Sequence, residues 1–156
     1  NDLLSETKKP ENKINNNPIF TDVQKQKMKL QNEAAILQQE SYFKLEDFKN
    51  DVLVSKKSLE QVSVNSPEQQ KTIDKAWKLL KSNQIILKNI TERFQKGDGE
   101  ISNEKYDSVS YLFDIRSHES KSIGENLVEI SRLIEESKSQ IKEESTHQSC
   151  FLMWCW

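Results

Sequence analysis

From Tyr106 to Ile141 the residues Tyr106, Val109, Phe113, Arg116, Ser120, Ile123, Leu127, Ile130, Ile134, Ser137 and Ile141 follow one another in steps that alternate 3 and 4 throughout. A repeat averaging 3.5 residues keeps those side chains on one face of an α-helix and would scatter them across both faces of a strand. The chain can bury this seam only as a long amphipathic helix packed on others. The pattern predicts a helix over 103–144, capped at Ser102 with Glu104 in its first turn.

A second seam precedes it. Leu30, Ala34, Leu37, Ser41, Leu45, Phe48, Val52, Ser55, Leu59 and Val62 repeat with one stutter between Ser41 and Leu45. Such an insertion locally relaxes a supercoil. Thr21 can cap this first helix, with Asp22 near the positive end of its dipole, and the predicted span is 21–62. Ile36, Tyr42 and Phe43 widen the stripe towards a broad buried face. Between the two lies VSVNSPEQ, where Ser66 reads as an N-cap, Pro67 as the first helical residue and Gln69 as the partner of a capping box. The second helix then spans 67–96, with seam Ile73, Trp77, Leu80, Gln84, Leu87, Thr91 and Phe94, and Gly97-Asp98-Gly99 ends it.

Both connections are short, so neighbouring helices should run antiparallel. The expected fold is all-α, an elongated up-down-up three-helix bundle over residues 21–144 with coiled-coil-like packing. The first helix should overhang at its start and the third at its end, because the second is shorter. In RSHESKSIG, Arg116 and Ser120 fall on core positions and Gly124 lies inside the helix. That polar interruption reads as a register-setting layer, as a kink near 117–124 that makes the bundle four-helical, or as a patch approached by a partner.

Composition limits the function. With 23 Lys and Arg against 25 Asp and Glu, the net charge is -2 and basic residues are interleaved with acids, which argues against nucleic acid as a partner. No run of 18 apolar residues occurs, so no helix is expected to span a membrane. QKGDGEISNEKYD resembles a calcium loop only at D-G-x-I, since Lys105 stands where the bidentate glutamate belongs. His118 has no ligand one turn on, and no catalytic fingerprint is present. The expectation is a non-enzymatic protein without metal or cofactor.

The two ends differ from the middle. Residues 1–20 carry two prolines and an asparagine run without periodicity, and read as a flexible polar tether. Residues 145–156 close on SCFLMWCW, which holds both cysteines. Cys150 and Cys155 could form a disulfide in an oxidising compartment, displaying Phe151 and Trp154. The tail reads as foreign to the fold, as a packing or partner element, or as a membrane anchor. The lysine- and asparagine-rich composition behind a polar tether resembles helical surface lipoproteins and secreted binding bundles of AT-rich bacteria. That resemblance is compositional and carries over no residues.

The expected function is therefore a helical-bundle binding protein, exported or surface-tethered, that engages a protein partner through a helix face or overhanging ends. The candidate partner-binding residues are Tyr111, Arg116, His118, Ser120, Phe151 and Trp154. Two alternatives stand beside it: a cytoplasmic coiled-coil scaffold that oligomerises through its seams, and a membrane-active protein that uses its tail.

Overall fold

The computed structural model describes residues 21–154, with side chains over 21–140. The fold is all-α, with three long helices packed antiparallel and no strand among the described residues. In chain order these are α1 (Asp22–Glu60), α2 (Pro67–Ser102), the single turn α3 (Val109–Leu112) and α4 (Ser117–Trp154). The described residues divide into two compact units. The first joins 21–41 to Phe94–Asp114, and the second joins Tyr42–Arg93 to the residues from Ile115 onward.

Local chemistry starts the first two helices where the sequence indicates. The Thr21 hydroxyl accepts the Gln24 N–H at 3.2 Å while the Gln24 side-chain oxygen accepts the Thr21 N–H at 2.8 Å. This reciprocal pair satisfies two of the donors left over at a helix start. At α2 the Ser66 hydroxyl accepts the Gln69 N–H at 3.1 Å, and the Gln69 side chain accepts the Asn65 N–H at 2.8 Å.

The predicted stop at Gly97-Asp98-Gly99 is incorrect, since α2 runs on to Ser102. Neither glycine adopts a positive φ, so neither acts as a left-handed cap. Glu104 takes that role instead, at φ 57°. Its N–H donates to the Ile101 carbonyl at 3.0 Å, and the Lys105 N–H donates to the Glu100 carbonyl at 2.8 Å. Those two bonds close a helix on a left-handed residue, a place that usually falls to glycine.

In the first unit Gly97 serves close approach. A Cβ on it would lie 2.6 Å from Phe113 Cε2, and the Phe113 ring tilts against Phe94 with centroids 5.4 Å apart. Ala34, Ser41, Val109 and Leu112 are buried with them. Antiparallel pairing of α1 and α2 shows in Gln38 bonding Asp98 at 2.7 Å and Lys27 bonding Glu104 at 2.9 Å. The seam nevertheless runs off the core at its start, where Leu30 is 37% and Val23 78% exposed.

The predicted third helix over 103–144 is also corrected, because residues 103–116 are broken by α3 and α4 begins only at Ser117. Ser102 ends α2 rather than capping a helix. At the break the Phe113 ring is buried, and the Ser41 hydroxyl donates to the Phe113 carbonyl at 3.0 Å. Residues 117–124 do not divide the helix, since α4 runs unbroken through Gly124 to Trp154.

The second unit is a layered ladder. Gln69 reaches the Ser137 carbonyl, Asn83 reaches the Ile123 carbonyl and Arg93 reaches Glu119. As α2 numbers rise, those of α4 fall, so the two are antiparallel. Leu45, Val52 and Leu59 of α1 and Ile123, Ile130 and Leu133 of α4 fill the layers between. The α2 seam is Ile73, Ala76, Leu80, Asn83, Leu87 and Ile90. Ile73, Leu80, Leu87 and Phe94 of the expected stripe are buried, but Gln84 is exposed and Trp77 and Thr91 are half-buried, their places in the core being taken by the preceding residues Asn83, Ala76 and Ile90. Phe43 (64% exposed) and Ile36 (57%) likewise stand outside the core they were expected to widen.

Candidate functional site

Two places in the second unit gather polar chemistry. The first is the start of α4, inside the RSHESKSIG stretch. Glu119, at the third helical position, accepts the Arg116 N–H at 3.0 Å and so caps the helix from within. The same carboxylate takes a two-pronged bond from Arg93 of α2, at 2.6 and 3.1 Å. The Arg93 side chain is 13% exposed and that of Glu119 10%. Burial pushes the Glu119 carboxyl up, but the Arg93 hydrogen bond, the Arg116 N–H and the charges of Arg93 and His118 outweigh it and hold the carboxyl below its ordinary range. The buried ion pair at the start of α4 is thus made by Arg93 of α2, a residue outside the 3-and-4 repeat. Arg116 and Ser120 are half-buried and His118 is exposed.

This cluster is occupied by its own bonds. A bidentate guanidinium–carboxylate pair that also caps a helix has little capacity left for a substrate. One turn further, Asn83 donates to the Ile123 carbonyl at 3.3 Å and accepts from Asn126 at 2.9 Å. The polar core side chains therefore hold α4 in register. The buried Ser137 hydroxyl has no hydrogen-bond partner among the described residues.

The second place is a concave ledge of about 530 Å³. Its lining comes from the end of α1 and the connection after it (Ser58, Gln61, Val62, Ser63) and from α4 (Ser131, Ile134, Glu135, Lys138). Two tight turns end α1, with the Gln61 N–H donating to Ser58 and the Val62 N–H to Leu59. The chain then extends to the Ser66 cap. Three serines stand where larger residues would fill the space. Ile134 and Val62 supply apolar surface, and the Glu135–Lys138 pair, 3.4 Å apart and largely exposed, supplies a charged edge. Val128, 72% exposed, precedes Ser131 by three residues and shares its side of α4.

The other ion pairs lie in water. Arg132 bonds both Glu129 and Glu136, and the Glu129 bond, first among the causes, raises the guanidinium's pKa. The Glu104 hydrogen bond and charge likewise raise the Lys27 ammonium. Such exposed pairs contribute little to folding.

The sequence-predicted site residues are not gathered in one unit. Tyr111, 64% exposed, belongs to the first unit, whereas Arg116, His118 and Ser120 belong to the second. The side chains of Phe151 and Trp154 and the proposed Cys150–Cys155 bond lie outside the described residues. Sequence reasoning missed the ledge, since its halves are some seventy positions apart and neither carries a motif.

Among the described residues no cluster of three metal-ligating side chains occurs, and no helix is long and apolar enough to cross a membrane. No known family, curated protein or solved structure matches the chain.

Proposed function

We propose that the chain is a non-enzymatic helical binding module, exported or tethered at a cell surface, that engages a protein partner through a helix face of its second unit. The observation that carries this reading is the ledge at Ser58–Ser63 and Ser131–Lys138, with Val128 exposed beside it. A concave surface with apolar floor, small hydroxyls and a charged edge suits a peptide segment that inserts one apolar side chain and pairs its flanks with Glu135 and Lys138. The proline- and asparagine-rich sequence of residues 1–20 and the composition support the surface setting.

The test is a displayed-peptide selection against the full chain. Recovered peptides should share an apolar anchor. Ser131→Arg, which fills the ledge from an exposed position, should weaken them about tenfold or more, a loss of roughly 1.4 kcal/mol. Lys78→Glu on the outer side of α2 should leave them unchanged. Binding indifferent to Ser131→Arg but lost in Tyr111→Ala or His118→Ala would move the site to the residues singled out from sequence.

A further inference from the structure

The interleaving of acids and bases along the chain fails on one helix. α2 reads KAWKLLKSNQIILKNIT over 75–91, with Lys75, Lys78, Lys81 and Lys88 and no acid between Asp74 and Glu92. Elsewhere acids are close at hand. On α1, Lys44 and Lys49 alternate with Glu46, Asp47 and Asp51. On α4, Lys121, Arg132 and Lys138 each meet a glutamate about one turn away. The four α2 lysines, with Lys71 before them, are exposed and form no ion pair among the described residues.

Helical spacing gathers them. Ile73, Ala76, Leu80, Asn83, Leu87 and Ile90 face the core, and at 3.6 residues per turn the lysines fall on the opposite side. From Lys71 to Lys88 the stripe is about 25 Å long. Ile85, 53% exposed, is the large apolar side chain on that side. Asp74 accepts from Gln70 at 2.7 Å. Glu129 of α4 feels the Lys75 charge, but the Arg132 hydrogen bond is the larger influence on it and already engages it.

A lysine ammonium is a hydrated point charge on a flexible stem, and against a lone carboxylate in water it contributes less than about 1 kcal/mol. A row of them gains more from a polymer of high charge density, because binding releases the counterions condensed on it. Ile85 alone offers too little apolar area to anchor an acidic helix or to enter a bilayer. No exposed aromatic ring stands on the stripe for bases to stack on. A nucleic-acid duplex is wider than one helix and would set phosphates against Glu129.

We propose that the solvent side of α2, at Lys71, Lys75, Lys78, Lys81 and Lys88, binds a linear sulfated polysaccharide laid along the helix. The ledge is lined by no residue of α2, so the two surfaces stand or fall separately.

The experiment titrates a heparin octasaccharide into the full, reduced chain by calorimetry at a series of salt concentrations. Wild type should bind at about 50 mM salt and weaken steeply as salt rises, with a log–log slope of about -4 for five engaged lysines. Lys75→Gln, Lys78→Gln and Lys81→Gln combined should weaken binding about thirtyfold and bring the slope to about -2. Glutamine and lysine have similar helix propensities, so helicity and melting should hold. Lys44→Gln, Lys49→Gln and Lys57→Gln combined on α1 change the net charge equally and should alter affinity less than about threefold. No heparin binding at about 50 mM salt overturns the proposal. Equal weakening by the two triple variants does so too, since it marks attraction to charge without a site. Equally tight binding of hyaluronan, which carries carboxylates but no sulfate, removes the sulfated class. A DNA duplex or phosphatidylserine vesicles bound more tightly than heparin, with the same dependence on the α2 lysines, would reassign the stripe to nucleic acid or membrane and overturn it.

Discussion

The first unit closes around the Phe94–Phe113 ring contact pressed onto Gly97, whereas the second closes on a ladder in which buried polar side chains alternate with apolar layers. Both are written in the same 3-and-4 repeat. In the first unit the repeat supplies buried residues but not a continuous helix, because an aromatic ring must turn inward and a backbone carbonyl must find Ser41. In the second unit the repeat and the helix coincide, and Gln69, Asn83 and Arg93 each meet a backbone or side-chain partner across the interface. A heptad thus specifies which residues go inside, and the partners available there decide whether the helix continues.

The largest expected effect tests the ladder. Glu119→Ala leaves Arg93 charged and partly buried and removes the cap of α4, so a loss of about 3–5 kcal/mol is expected by denaturant unfolding. The acid limb should change with it. Because the Glu119 carboxyl sits below its ordinary value in the folded chain, its contribution is complete above the unfolded glutamate value of about 4.3 and is lost as pH falls through the lower folded value. Wild type should lose stability over that acid window, and Glu119→Ala should lose less. An unchanged acid limb would mean that other carboxylates govern it.

Gly97→Ala probes the other closure. The added carbon would meet the Phe113 ring at 2.6 and 2.8 Å, and a buried ring cannot withdraw freely, so a cost of about 1–3 kcal/mol is expected. Amide exchange should show the loss first in 94–114. Equal loss of protection throughout 42–93 would erase the distinction between the units. Gly99→Ala meets open space and should cost nothing.

The smallest change has the opposite sign. Glu104→Gly relieves a left-handed backbone at the end of α2 and should stabilise the chain by about 1 kcal/mol, read as a rise in melting temperature. It gives up only the exposed Lys27 pair. A fall in melting temperature would show that this surface pair matters more than the backbone.

Features carried by neighbouring residues were legible. Ser66, Pro67 and Gln69 announce a helix start because a cap needs only residues within one turn. Features carried across the fold were not. Gly97 reads as a stop until Phe113 is placed on it, and the break at 113–116 depends on Ser41 and Glu119. Asn83 and Gln84 look equally polar on paper, yet only Asn83 faces a carbonyl it can bond. The arginine of the polar layer was sought at Arg116, in the repeat, whereas Arg93 lies outside the expected α2 seam. The ledge had no local signal at all, being an absence of bulk at serines brought together from α1 and α4.

By itself the sequence determined that this chain is all-α, that its long helices pack antiparallel, and where α1 and α2 begin. Periodicity and capping are short-range effects, and a few residues suffice to express them. Only the tertiary structure decided where α2 stops, where the third seam breaks, which arginine pairs with Glu119 and where a concave surface opens. Each of those depends on which distant side chain can satisfy a buried backbone group or fill a given volume, and that choice is made when the helices meet.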